Sequence, residues 1–142
     1  MNRTLRTSIV ALAAAASITL AAGCGSSDSA EVPTGADMKG TWVQTATGYD
    51  NGTLSSWKSN PAGDIVFDEA SGQSFAGYKT YDPPEGPPVK ETLQGIIAPD
   101  GDILITDQDG FYEGTIENGT FTGQYAEMGD DSAAMNVTWT KK

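Results

Sequence analysis

Few side chains in this sequence are equipped for chemistry, and one of them stands alone. Cys24 is the only cysteine and histidine is absent, so the thiol has no disulfide partner within the chain and no imidazole beside it to act as a base. Asp100, Asp102, Asp107, Asp109 and Glu113 offer the oxygen donors that a hard cation such as calcium would need. Their spacing does not follow the EF-hand, because Ile116 stands where the bidentate glutamate should fall after Asp107, Asp109 and Gly110. Asp and Gly at these places are also what hairpin turns require, and no metal ligand is assigned. No serine occupies a Gly-x-Ser-x-Gly elbow, and nothing singles out two carboxylates as an acid/base pair. The chain is read as non-enzymatic and without a cofactor.

The residues before Cys24 give that thiol a context. Arg3 and Arg6 precede an apolar run from Ile9 to Leu20, too short to span a bilayer but suited to the centre of an export signal. The stretch Leu20-Ala21-Ala22-Gly23-Cys24 resembles the lipobox of bacterial lipoproteins. The resemblance implies that residues 1–23 are a removed signal peptide and that Cys24 is the lipidation site and new N-terminus, carrying diacylglyceryl and a further acyl chain such as palmitate. It also implies an extracytoplasmic, membrane-anchored place in a bacterial cell envelope. Two or more acyl chains, at about 0.8 kcal/mol per buried methylene, anchor a protein stably, so the domain needs no membrane-binding surface of its own. Residues 24–37 contain almost nothing to bury and read as a flexible, lipidated tether, with a coil span of roughly 20 Å.

Charge narrows the partners. The chain carries 19 acidic and 8 basic residues, a formal net charge of −11, and becomes more acidic once Arg3 and Arg6, its only arginines, leave with the signal. Such a surface repels nucleic acid and anionic headgroups, and it lacks the guanidinium fork that grips phosphate or carboxylate ligands.

From Met38 to Lys142 the sequence is a succession of short segments rich in Val, Ile, Thr, Tyr, Phe and Trp, separated by Gly, Asn, Asp and Pro. This pattern predicts an all-β domain. Strands are expected near Gly40 to Thr47, Thr53 to Lys58, Asp64 to Asp68, Gln73 to Tyr81, Val89 to Ala98, Ile103 to Gln108, Phe111 to Glu117, Thr120 to Ala126 and Ala133 to Thr140, with the first two readable as one interrupted strand. Loops this short force an antiparallel meander, about eight strands closing into a barrel or a partly open one. Asp82-Pro83-Pro84-Glu85-Gly86-Pro87-Pro88 cannot donate to a ladder from its prolines and should arch over a barrel end as a rim. The Asn-x-Thr triplets at Asn51, Asn118 and Asn136 read as two turns and a strand.

Asn118-Gly119 is a strong two-residue hairpin signal, since both central positions need positive φ. It sets Ile116 opposite Phe121, Gly114 opposite Gly123 and Tyr112 opposite Tyr125, all facing inward. Gly114 and Gly123 either permit a tight bend of the wall or clear space for a ligand. Treating Asp109-Gly110 and Asp100-Gly101 as two-residue turns extends the register. Ile105 then faces Gly114 and Ile96 meets Ile105, which yields an inward polar row of Gln94, Asp107, Tyr112 and Tyr125 beside an apolar layer of Ile96, Ile105, Ile116 and Phe121. The same register turns Leu93, Ile97, Leu104 and Phe111 outward.

Gly40-Thr41-Trp42 on the first strand, the meander, and Lys141 just after the last strand resemble the calycin superfamily of lipocalins, fatty-acid-binding proteins and avidins. The resemblance implies that Trp42 packs across the closed barrel end beside Lys141, as structural residues. Two functions remain open. In one, a lipocalin-like barrel binds a small apolar or amphipathic ligand through Gln94, Asp107, Tyr112, Gly114, Gly123 and Tyr125. In the other, the barrel is filled, and the domain is a structural or inhibitory partner of another envelope protein.

Overall fold

The computed structural model describes residues 31–57, 63–81, 85–130 and 132–142. Cys24 and the export segment lie outside the described residues, as do Pro83 and Pro84 of the expected rim. A short helix α1 (Gly35–Met38) leads into the strands β1 (Gly40–Asp50), β2 (Thr53–Trp57), β3 (Ile65–Ser71), β4 (Ser74–Tyr81), β5 (Val89–Ile97), β6 (Ile103–Thr106), β7 (Gly110–Glu117), β8 (Thr120–Glu127) and β9 (Ala133–Lys141). All pairings are antiparallel. Together they form a closed eight-stranded antiparallel barrel with one extra strand.

Closure comes from β1, which pairs with β9 from Trp42↔Lys141 to Asp50↔Ala133. Its other edge is shared: β3 takes the start, Gly40↔Phe67 to Trp42↔Ile65, and β2 the end, Ala46↔Trp57 to Asp50↔Thr53. The interrupted strand is therefore β2 with β3, while β1 and β2 form a hairpin about Asn51-Gly52. Asn51 and Gly52 have φ of 45° and 71°, the paired positive values of a type I′ turn. Asn118 and Gly119, at 51° and 73°, make the same turn between β7 and β8, and the expected register there is observed: Ile116↔Phe121, Gly114↔Gly123, Tyr112↔Tyr125.

The other two turns differ from expectation, each for a local reason. At Asp100-Gly101 the loop holds three residues. Gly101 N–H donates to Ala98 O at 2.9 Å and Ala98 N–H to Asp102 O at 2.7 Å, with Gly101 at φ 96°, the type I turn and left-handed glycine of a three-residue hairpin. An odd loop reverses the faces of β5, pairing Ile97 with Ile103 and Gln94 with Thr106. Leu93 and Ile97 are consequently buried, whereas Ile96 is 53% exposed and Gln94 is exposed. At the next hairpin the turn centres on Gln108-Asp109, because the Asp107 carboxylate accepts the N–H groups of both Asp109 and Gly110. Asp at the first position and Gly at the fourth suit a type I turn. The ladder moves by two residues, Ile103↔Gly114 and Ile105↔Tyr112, which keeps the faces as expected.

The interior is aromatic. Trp42, Phe67, Phe75, Phe121 and Trp139 are all at most 3% exposed, with Ile65, Leu93, Ile97, Ile103, Ile105 and Val137 packed among them. Phe121 and Trp139 lie 4.5 Å apart between centroids, and Tyr112 meets Trp139 edge-on at 4.8 Å. Each indole N–H has one acceptor, Met38 O for Trp42 and Gln44 Oε1 for Trp139, both at 2.8 Å, as burial of such a donor demands. The folded unit also begins earlier than Met38. Gly35 and Met38 are buried, and Gly35 N–H donates to Gly72 O at 2.9 Å, so the last residues of the expected tether belong to the domain.

Candidate functional site

The meander gives the barrel two unlike ends. One carries α1, the β3–β4 turn and the β7–β8 turn; the other, the mouth, carries the β1–β2, β4–β5, β6–β7 and β8–β9 connections. The acidic residues that cluster in sequence are split by β6. Asp100 and Asp102 lie in the β5–β6 loop near α1, where Asp100 Oδ1 accepts the Asp102 N–H at 3.3 Å. Asp107 and Asp109 lie at the mouth.

At the mouth Lys79 reaches inward from β4. Its Nζ sits 2.6 Å from Asp107 Oδ2 and 3.0 Å from Glu91 Oε2. Glu91 is the cross-strand partner of Lys79, and Asp107 arrives from the β6–β7 turn. The Asp107 side chain is 0% exposed, those of Glu91 and Lys79 9% and 16%. Asp107 Oδ1 faces the other way and accepts Gly110 N–H at 2.5 Å and Asp109 N–H at 3.3 Å. Below the ammonium lie the stacked rings of Tyr112 and Tyr125, 4.4 Å apart, with Nζ 5.2 Å from the Tyr125 centroid. Tyr125 Oη donates to Glu127 Oε2 at 3.0 Å and has Asp107 Oδ2 as a longer alternative at 3.4 Å.

The electrostatics follow from one cation among several carboxylates. Burial works against the Lys79 ammonium, but Tyr112, the hydrogen bond and charge of Asp107, and the bond to Glu91 outweigh it and hold the group above the ordinary lysine range. Burial raises both phenols, Tyr112 and Tyr125, with Asp107 and Glu127 adding to the effect. Glu127 is also raised, by burial first; the Tyr125 hydroxyl opposes this and Asp109 reinforces it. Carboxylate oxygens of Glu91, Asp107 and Asp109 lie within 4.8 Å of one another, a spacing that could hold a cation, and the Lys79 ammonium already bonds two of them.

Of the expected polar row, Asp107, Tyr112 and Tyr125 are brought together, while Gln94 is on the outer wall. Of the expected apolar layer, Ile105 and Phe121 are fully buried and Ile116 packs against the core, while Ile96 is outside. Gly114 and Gly123 face each other at a place where the strands crowd. A Cβ on Gly114 would lie 2.3 Å from Thr122 O, and one on Gly123 would lie 2.2 Å from Glu113 O. Backbone therefore occupies the space beside them, the tight-bend role of strand glycines.

Lys79, Glu91 and Glu127 are absent from the sequence-derived site. Parity could have found two of them: once Leu93 and Ile97 face inward, so does Glu91, and Phe75 inward places Lys79 on the same face. At the opposite end Lys141 Nζ lies 5.0 Å from the Trp42 ring centroid and donates to Asp37 O at 2.7 Å. Asp37 accepts the backbone N–H and hydroxyl of Thr34 at 2.8 and 2.9 Å, which holds its carboxyl below the usual range.

Among solved structures the chain is similar to a redesigned β-barrel, at 16% identity and a TM-score of 0.54, with 77% of this chain and 95% of that chain covered. The likeness is one of fold. No protein-family model matches the chain, and no curated protein does at a significant level.

Proposed function

We propose that the protein is a lipoprotein of a bacterial cell envelope, anchored on an extracytoplasmic membrane face through Cys24, and that its lipocalin-like barrel is a non-catalytic, filled module that contacts another envelope protein. The observation that carries this reading is the packing of the interior: Trp42, Phe67, Phe75, Phe121 and Trp139, with Tyr112 and Tyr125 toward the mouth, are no more than 4% exposed. Eight-stranded barrels either hold one ligand or are filled by side chains, and a ligand body would need the volume these rings occupy. Its polar end would also have to displace Lys79 from Asp107. The chain enters the domain at the α1 end, so a lipid anchor at Cys24 would attach on that side and leave the mouth free for contacts. The mouth hairpin exposes Tyr49 and its cross-strand partner Leu54, at 59% and 69%, and Met128 follows β8 at 67%, apolar side chains that a partner protein could cover.

Native mass spectrometry of the protein purified from its own host tests the choice. The expected spectrum contains the lipidated chain alone or with a protein partner; a stoichiometric small apolar molecule would overturn the filled reading. Fractionation tests the anchor, since Cys24→Ser should release the domain or stall the precursor, and recovery of processed Cys24→Ser protein in the membrane would remove that part of the proposal.

A further inference from the structure

The mouth cluster has the composition of a reaction centre as well as of an ion pair. An amine and two carboxylates are held together: Lys79 Nζ lies 2.6 Å from Asp107 Oδ2 and 3.0 Å from Glu91 Oε2, and oxygens of the two carboxylates lie within 4.8 Å of each other. The two oxygens of Asp107 are in different surroundings. Oδ1 receives two backbone N–H groups, from Gly110 and Asp109, the arrangement that stabilises an oxyanion at a tetrahedral carbon. Oδ2 faces Lys79, with the Tyr125 hydroxyl at 3.4 Å.

We propose that Lys79 and Asp107 condense into an intramolecular amide, with Glu91 carrying the protons. A proton first passes from the ammonium to Oδ2 of Asp107 across their 2.6 Å contact, with Glu91 as relay, which leaves a neutral amine beside a carboxylic acid. The freed Nζ lone pair attacks Cγ of that acid, and the Nζ–Cγ bond forms as charge moves onto Oδ1 between its two N–H donors. Glu91 then takes the second proton lost by nitrogen and delivers it to Oδ2. The Cγ–Oδ2 bond then breaks and Oδ2 leaves as water. An ammonium and a carboxylate become an amide and one water, with no change of oxidation state and no further reactant.

Two physical arguments favour the step here over the same step in solution. Fixed contact between the reacting groups replaces a bimolecular encounter, an advantage equivalent to effective concentrations of about 10⁵–10⁸ M in well-oriented cases. The Asp107 side chain is 0% exposed, so its charge and that of its partner are held with little help from water; the amide removes these two charges, keeps a polar group that Gly110 and Asp109 already solvate, and leaves the Glu91 carboxylate, 9% exposed, as the one charge of the trio. The Tyr112–Tyr125 stack, at 4.4 Å, walls the site from below. The product would tie β4 to the β6–β7 turn across β5, a covalent staple over the mouth formed once per molecule.

Peptide mapping of the full-length protein from its own host, denatured and digested, decides the matter. The expected map joins the segments bearing Lys79 and Asp107 in one branched peptide, lighter by one water than the two separately, with Lys79 resistant to a lysine-specific protease. Asp107→Ala should yield two linear peptides. Glu91→Gln should slow the joining by about a hundredfold or more, with far-ultraviolet dichroism verifying that the variant is folded. Wild-type protein that gives only separate peptides cleaved at Lys79 overturns the proposal whether or not any variant folds. A branched peptide that survives Asp107→Ala overturns it as well.

Discussion

At the α1 end of the barrel every polar group near the core is neutral or lies at the surface. Trp42 gives its N–H to Met38 O, Trp139 gives its own to Gln44, and the Lys141 ammonium stays outside over the Trp42 ring. At the mouth the same wall encloses an ammonium and carboxylates, with the Asp107 side chain shut off from solvent. The difference lies in what closes each end. Near α1, a buried helix residue and an indole fill the section with apolar volume. At the mouth, β4 and β5 bring a lysine and a glutamate inward as cross-strand partners, and the section is filled by charges that satisfy one another. An apolar closure loses stability in proportion to the volume removed. An ionic closure depends on whether its charges still balance, because a buried charge without its partner is worse than none.

The largest effect is expected where the closure is apolar. Trp42→Ala should destabilise the domain by about 3–5 kcal/mol, read as a lower denaturant midpoint with little change in slope. A loss under about 1 kcal/mol would place the indole outside the core and erase the contrast.

Lys79→Met tests the ionic closure. It leaves Asp107 and Glu91 facing each other without their cation, and a destabilisation of about 2–3 kcal/mol is expected, below the figure for a wholly buried pair because Lys79 and Glu91 reach some solvent. Replacing Glu91 by Gln in the Lys79→Met background should recover part of the loss; failure of the second change to help would show that charge imbalance is not what the first variant suffers.

Between the two ends, Gly114→Ala probes the bend. A Cβ 2.3 Å from Thr122 O forces the backbone to move, and about 1–3 kcal/mol should be lost, as for other overpacked positions. An unchanged melting temperature would mean that the wall has room to spare there.

The mouth should also respond to alkali. Tyr112 and Tyr125 keep their protons above the ordinary phenol value of 10.0, so beyond that pH the folded state binds more protons than the unfolded one. Stability should fall as pH rises past 10.0, with the phenolate absorbance of these two rings emerging only as the domain opens. Separate titration of both rings in the folded domain at their ordinary value would contradict the burial.

The smallest effect is expected at Glu127. Its raised value means that the folded state holds the proton more tightly, so the associated stability is present at acid pH and lost as pH rises through the folded value. Glu127→Gln should flatten that part of the pH profile and slightly raise stability at neutral pH; a profile identical to wild type would assign the dependence elsewhere.

Local chemistry made much of this protein legible from sequence. β-branched and aromatic segments between turn residues specified an antiparallel barrel, and Asn118-Gly119 specified the β7–β8 register, because a type I′ turn needs two positive φ values and this pair supplies them at little strain. The same alternation placed Asp107, Tyr112 and Tyr125 inside. What tertiary structure alone decided were the two Asp-Gly turns and all that depends on them. Asp and Gly fit a two-residue turn, a three-residue loop with a left-handed glycine, or a type I turn one residue earlier, and the choice was made by which faces could be buried. Leu93 and Ile97 had to enter the core, so β5 reversed, Gln94 went to the wall, and Glu91 came inside. A buried glutamate then required a cation, and only the β4–β5 register, set across their Pro-rich connection, shows that Lys79 supplies it.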